Sequence, residues 1–169
     1  GQEVTGVSRS KEINDVFLPY KFLDIKNNFK FYQLDLNSHI NDIVDLINEF
    51  KPDYLINFAA LGMVVESWSK PDDWYQTNVV GQVRFHDQLR KMNFIKKYIH
   101  ISTPEVYGST SGIIEENFNF LPSTPYAVSR AACDLHLLSF FKAYNFPVVF
   151  TRAANVYGAY QQLYRIIPR

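Results

Sequence analysis

Cysteine is nearly absent: Cys133 is the only one in 169 residues, which excludes an internal disulfide and makes a cysteine-based metal site an unpromising reading. That thiol falls in a helical pattern and reads as a small core residue. It also fits a reducing, cytoplasmic setting. Glycine is scarce as well, with 7 residues, and no G-x-G-x-x-G or G-x-x-G-x-x-G cluster follows a strand, so no phosphate-cradling loop is visible. Charge of one sign is missing: 17 basic and 17 acidic residues cancel. No basic field is present to hold nucleic acid or an anionic membrane surface. No apolar run approaches the length of a membrane span, and the N-terminus carries no signal-peptide pattern. The expected partners therefore include neither nucleic acid nor membrane. The histidines His39, His86, His100 and His136 are scattered over different elements, and their spacing suggests no metal site.

What is present is ordinary globular composition, with 47% hydrophobic and 20% charged residues, and a high aromatic share of 16%. An aromatic-rich core is the simplest use for those rings. Short apolar runs alternate with amphipathic stretches. Strands are expected at Glu3–Val7, Phe31–Leu34, Tyr54–Phe58, Lys96–Ile101 and Val148–Thr151. Helices are expected at Ile40–Phe50, where Ile40, Ile43, Val44, Leu46 and Ile47 keep helical spacing, at Asp73–Met92 and at Tyr126–Tyr144. Strands joined by helical crossovers imply an α/β fold with a doubly wound parallel sheet. Such sheets bind ligands at the carboxyl ends of their strands. The chain reads as an incomplete version of that architecture, a partial Rossmann-like domain over residues 1–169 lacking the first strand and the glycine-rich loop, with a C-terminal substrate domain absent.

Two segments carry chemistry. Tyr126-Ala-Val-Ser-Arg130 follows Pro122-Ser-Thr-Pro125 and opens a helix. Residues four apart share a helix face, so a phenol and a guanidinium can look into one cleft. A nearby cation favours the phenolate of a group whose ordinary pKa is about 10. Taken alone, the pattern is most often a surface tyrosine beside a helix-face arginine. The second segment strengthens it: Tyr98-Ile-His-Ile-Ser-Thr103 runs along a strand into Pro104-Glu-Val-Tyr-Gly108. A hydroxyl at a strand's carboxyl end stands where such sheets hold substrates. Thr103 can hydrogen-bond the same reacting hydroxyl as Tyr126, and Glu105 can reach a neighbouring carbon. The plainer alternatives are an ordinary strand-end threonine and an exposed loop acid.

Together these segments resemble the extended short-chain dehydrogenases/reductases, and more narrowly the nucleotide-sugar 4,6-dehydratases and related epimerases. The resemblance runs almost end to end. Val4-Thr-Gly-Val-Ser-Arg9 is similar to the family's second strand, and Asp35-Leu36 to the pair that contacts adenine. Asn57-Phe-Ala-Ala60 resembles the strand and loop lining the cofactor's central portion, and Glu66-Ser67 through Asn78-Val-Val-Gly81 the segment "S…P…N..GT". Ser102-Thr-Pro-Glu-Val-Tyr-Gly108 resembles "STDEVYG", Pro125-Tyr-Ala-Val-Ser-Arg130 "PYAxSK", and Arg152-Ala-Ala-Asn-Val-Tyr-Gly158 "RxxNxYGP".

The resemblance implies roles. Tyr126 is the base for the sugar 4-hydroxyl, and Thr103 hydrogen-bonds that hydroxyl. Glu105 acts at C5 and helps expel the C6 hydroxyl. Arg130 stands where the family lysine holds the nicotinamide ribose. Ser8, Arg9, Asp35, Leu36, Phe58, Ala59, Ala60 and Asn78 join Tyr126 and Arg130 around the cofactor. Asn155 and Arg165 are placed at the substrate, a nucleoside-diphosphate sugar. Trp68 is the better of two tryptophans for stacking, although Trp68 and Trp74 both read first as core or rim. A homodimer is implied, through a four-helix bundle of Asp73–Met92 and Tyr126–Tyr144.

The chain departs from the family pattern at three places. Arg130 replaces lysine, keeping the charge but aiming a planar fork differently. Pro104 replaces an aspartate that precedes the glutamate in dehydratases, leaving Glu105 as the acid and 4-epimerisation or non-catalytic nucleotide-sugar binding as alternatives. The phosphate loop is not seen, so the chain is expected to bind dinucleotide poorly. The cofactor is read as NADP or NAD. NADP is preferred because Val7-Ser8-Arg9-Ser10 has a hydroxyl and a guanidinium where NAD-preferring relatives carry a carboxylate.

Overall fold

The computed structural model describes residues 2–22 and 28–161. Parallel strands alternate with helices in the expected order. The strands are β1 (Val4–Ser8), β2 (Phe29–Gln33), β3 (Tyr54–Asn57), β4 (Lys97–Ile101) and β5 (Val148–Thr151). The helices are α1 (Ile40–Phe50), α2 (Val64–Ser69), α3 (Pro71–Tyr75), α4 (Gln82–Leu89) and α5 (Pro125–Tyr144). Among the described residues the strands form two parallel sheets rather than one: β1 pairs with β2, and β4 lies between β3 and β5. Val4 pairs with Phe29 in the first sheet, while Ile56 pairs with Ile99 and Ile99 with Val149 in the second. The architecture is Rossmann-like, with five strands among the described residues.

Alternation decides which face of the second sheet is covered. Leu55, Tyr98, Val148 and Phe150 turn toward one side, where Ile43 and Ile47 of α1, Phe85 and Leu89 of α4, and Cys133 and Leu137 of α5 close the core. Cys133 is fully buried there, as its helical pattern suggested. On the opposite side Tyr54, Ile56 and Val149 are exposed. Parallel sheets are ordinarily covered on both faces; among the described residues this one is covered on one.

Helix boundaries follow local chemistry. Thr124 caps α5, its Oγ1 accepting the Ala127 N–H at 3.1 Å, and Pro125 occupies the first turn where a missing N–H costs nothing. The helix stops at Asn145, left-handed at φ 52°, a conformation asparagine tolerates. The long helix expected at Asp73–Met92 is interrupted: α3 runs into a π-helical stretch, Gln76–Gly81, before α4 continues. The wider turn brings Asn78 and Gln82 inward, and both are fully buried. Helix α2 was not anticipated, because six residues are too few to set up a periodic signal.

Candidate functional site

The site begins with a strand-end loop held from behind. Asn57 closes β3 and donates through Nδ2 to Gln82 Oε1 (2.7 Å) and to the Tyr98 hydroxyl (2.6 Å). Its Oδ1 accepts the Ala59 N–H at 2.9 Å. Gln82 Nε2 donates to the Ala59 carbonyl at 2.6 Å. Asn78 clamps both backbone groups of Leu61, accepting its N–H at 2.8 Å and donating to its carbonyl at 3.0 Å. Asn78 also donates to Ser129 Oγ at 2.9 Å, and Ser129 in turn donates to the Tyr126 carbonyl at 2.7 Å. Phe58 and Ala59 are exposed and Ala60 is half-buried, so side-chain amides fix this short loop while it faces outward. The amide of Asn78 is therefore turned to protein partners.

A second loop leaves β4. Thr103 is 6% exposed, and its Oγ1 accepts the Glu105 N–H at 3.3 Å. It thereby caps a 3-10 turn over Pro104–Tyr107, and Pro104 starts the turn without needing a donor. Glu105 is exposed. The turn closes at Gly108, left-handed at φ 71°, where any Cβ would strike the Leu121 carbonyl. Helix α5 packs against this turn. Tyr126, half-buried in the first turn of α5, donates its N–H to Ser67 Oγ of α2 at 3.2 Å.

Arg130 lies one turn further along α5 and is 2% exposed. Its Nη2 donates to the Ile101 carbonyl and lies 3.3 Å from His100 Nε2. Its Nε and Nη1 are buried without a partner among the described residues. Burial, with Arg130 and then Arg152 adding repulsion, pulls the His100 pKa down to about 3. His100 is thus a neutral acceptor for the guanidinium at neutral pH.

Beneath these residues lies a carboxylate that the sequence reading missed. Asp134 is fully buried on α5. Its Oδ2 accepts Ser102 Oγ at 2.8 Å and Arg152 Nη2 at 3.0 Å, and its Oδ1 lies 3.6 Å from His100 Nε2. Burial raises the Asp134 pKa, opposed by the Ser102 hydrogen bond and by Arg152 and Arg130. Arg152 sits 5.1–5.4 Å from the ring centres of Tyr107, Phe118, Phe120 and Phe150. It also donates through Nη1 to the Tyr107 hydroxyl at 3.2 Å. The available signal was spacing: Asp134 stands four residues after Arg130 and eight after Tyr126, on the same helix face.

At the carboxyl end of β1 a cleft of about 550 Å³ opens, lined by Arg9, Asn37, Leu61, Lys70 and Trp74 among others. Arg9 and Ser8 are exposed. Asp35 and Leu36 follow β2, with Asp35 Oδ1 accepting the Asn37 N–H at 2.8 Å. Leu36 packs against the core. Trp74 is buried while Trp68 is exposed. Two groups of the expected residues emerge, Arg9 with the Leu61 loop around the cleft, and Thr103, Tyr126 and Arg130 around β4 and α5. Asn155 is exposed beyond β5, and Arg165 lies outside the described residues. Ligand atoms of His86, His100 and Cys133 fall within 4.8 Å of one another. Burial pushes the Cys133 thiol up to about 12, against the neighbouring Arg130 guanidinium, which pulls it down. A protonated thiol next to a cation is a poor metal ligand.

Parallel strands ending in braced loops, a cleft at their carboxyl edge and helices packed on the sheet define a Rossmann-type protein. The chain belongs to the family described as GDP-mannose 4,6 dehydratase, which it matches over residues 1–169. It is 32% identical over 160 residues to dTDP-glucose 4,6-dehydratase of Haemophilus influenzae, covering 86% of this chain and 46% of that protein. It is 35% identical over 146 residues to the human dTDP-D-glucose 4,6-dehydratase, covering 85% and 41%. Among solved structures it resembles the dTDP-glucose 4,6-dehydratase DesIV of Streptomyces venezuelae, solved with NAD bound. There the TM-score is 0.83 at 27% identity, over 99% of this chain and 51% of that one. A UDP-N-acetylglucosamine 4-epimerase of Methanobrevibacter ruminantium is similar at TM-score 0.80 and 29% identity, over 97% and 51%. The chain thus spans about half the length of the relatives it matches. Among the described residues no helix is long and apolar enough to cross a membrane.

Proposed function

We propose that the whole protein is a nucleotide-sugar 4,6-dehydratase, a lyase that oxidises C4 of a nucleoside-diphosphate hexose to a ketone, removes water across C5 and C6, and returns the hydride to C6 to leave a 4-keto-6-deoxy sugar, the cofactor being reduced only transiently. The observation that carries this reading is the Pro104–Tyr107 turn, capped by Thr103, packed against α5, in a chain that matches the dehydratase family from end to end. Tyr126 accepts the proton of the sugar 4-hydroxyl, and Thr103 hydrogen-bonds that oxygen. Glu105, exposed on its turn, takes the C5 proton once C4 is a carbonyl and returns it toward the leaving C6 hydroxyl. With Pro104 beside it, Glu105 serves both steps. Asn155 and Arg165 contact the nucleotide sugar.

The chain's residues fit the adenosine side of an NAD-type dinucleotide. The cleft at the ends of β1 and β2 has a guanidinium at Arg9, and the braced Phe58–Ala60 loop leaves its outer face free. When bound, that group would take the hydride from C4 and return it to C6 once water has left. Ser8, Arg9, Asp35 and Leu36 hold its adenosine end. Asn78 acts by fixing Leu61, and Arg130 by anchoring α5 to β4 beneath Tyr126. Val7-Ser8-Arg9-Ser10 carries no carboxylate, which favours a 2′-phosphate, so we read the preferred cofactor as NADP although Glu66 and Asp73 also line the cleft. Titration of the complete protein with both dinucleotides tests this, and tighter NAD binding overturns it. A homodimer through a four-helix bundle of Asp73–Met92 and Tyr126–Tyr144 is supported by Val80, Val128, Leu135 and Phe141, all exposed. The lone buried cysteine supports a cytoplasmic setting.

Incubating the complete protein with a panel of nucleoside-diphosphate hexoses should give a product lighter by one water. Pro104 specifically favours a second reading, 4-epimerisation, which predicts a product of unchanged mass and inverted C4. The burial of Arg130 favours a third, a non-catalytic binder. A large rate gain in Arg130→Lys supports that reading, and a loss counts against it.

A further inference from the structure

We infer that Asp134 is a positioning residue that sets the geometry between the Tyr126 helix and the Thr103 strand end; the inference rests on the dehydratase reading above. Three elements that bear the proposed reacting groups meet at this one carboxylate. Helix α5 carries Asp134 itself, two turns after Tyr126. The end of β4 reaches it through Ser102, the residue immediately before Thr103, at 2.8 Å. The end of β5 reaches it through Arg152 at 3.0 Å, three residues before Asn155.

The chemistry explains why a carboxylate is needed. Arg130 and Arg152 bring two guanidiniums into the interior around Asp134, while His100 is neutral. Asp134 is the buried acid among the described residues; it bonds Arg152 directly and feels the Arg130 charge at longer range. A buried charge-assisted hydrogen bond is shorter and stiffer than a neutral one, and here two of them share Oδ2. Arg152 extends the restraint outward, because its Nη1 donates to Tyr107 and its guanidinium is packed among four aromatic rings. Tyr107 in turn donates its hydroxyl to the Asn117 carbonyl at 3.2 Å. The Thr103–Tyr107 turn is thereby held from both ends. Asp134 touches no reacting atom in this scheme; it acts through Ser102 and Arg152.

The test uses the complete protein and a hexose substrate carrying either hydrogen or deuterium at C4. Asp134→Asn, with its amide oxygen in the shared position, keeps an acceptor for both Ser102 and Arg152 but removes the negative charge. The expected result is a fall in kcat of about 100-fold, the order that a ~1 Å misplacement produces. Cofactor affinity should stay within about threefold, and the deuterium effect on kcat should rise above wild type, because hydride transfer becomes the slow step. A fall in kcat with an unaltered isotope effect means fewer folded sites rather than misplaced groups, and overturns the inference. So does a kcat within about threefold of wild type. Ser102→Ala leaves the charges in place, so it reports even if Asp134→Asn does not fold. It should lose about tenfold with the same rise in isotope effect, and a variant indistinguishable from wild type again overturns the inference. If the wild-type protein makes no dehydrated product, the functional reading fails and takes this one with it. A competent wild type with indifferent variants overturns the positioning role alone.

Discussion

Truncating Asn78 to alanine removes three hydrogen bonds at once, two to the backbone of Leu61 and one to Ser129. Asn78 is fully buried, and Leu61 is half-buried, so water replaces the lost partners only in part. At about 1 kcal/mol net per bond, rising for groups left unsatisfied, the loss comes to about 3–4 kcal/mol. Urea unfolding of the wild type and Asn78→Ala, with matched m-values, measures it. Asn78→Asp sharpens the test. It preserves shape and the acceptor for the Leu61 N–H, but it sets a carboxylate against the Leu61 carbonyl and cannot donate to Ser129. If donation by this amide matters, aspartate is at least as damaging as alanine. An Asn78→Ala loss below about 1 kcal/mol, or an aspartate that behaves as wild type, refutes the clamp as the loop's support.

Gly108→Ala places a Cβ against the Leu121 carbonyl at a left-handed φ. It should cost about 2–3 kcal/mol in thermal unfolding and speed proteolysis within residues 109–121, and a loss under about 0.5 kcal/mol contradicts the steric argument. Stability should also fall as pH drops from 7 to 5. Burial holds the pKa of His86 and His100 well below the ordinary histidine value, so below about 6.5 the unfolded chain binds protons that the folded one does not. The raised pKa of Asp134 works in the opposite sense, because there the folded state holds the proton more tightly. With His136 lowered by burial in the same sense, the expected net uptake on unfolding is about two protons near pH 5.5. A stability that is flat across that range contradicts the burial of both rings.

Periodicity made most of the frame legible. The apolar run at Lys96–Ile101, the spacing in α1 and the helix expected at Tyr126–Tyr144 reproduce β4, α1 and α5 to within a residue or two. What stayed hidden depends on contacts distant in sequence. Asn78 and Leu61 are 17 residues apart, and Ser102 and Asp134 are 32 apart; no local pattern announces such bonds. Arg130 shares a face with Tyr126, as spacing requires, yet its long side chain turns to the Ile101 carbonyl rather than outward. Helical spacing fixes a direction for Cβ and leaves the guanidinium several rotatable bonds of freedom. The π-helical stretch was invisible for a related reason, since only the buried amides of Asn78 and Gln82 reward the wider turn.

Rapid mixing of the complete protein with a nucleoside-diphosphate hexose, following cofactor reduction in wild type and Tyr126→Phe, tests the Tyr126–Thr103 chemistry most directly. Removing the phenol's ionisable proton should slow that step by about 10²–10⁴-fold while leaving cofactor binding intact. Reduction in the phenylalanine variant at a rate within about threefold of wild type would contradict the assignment of Tyr126 as the base.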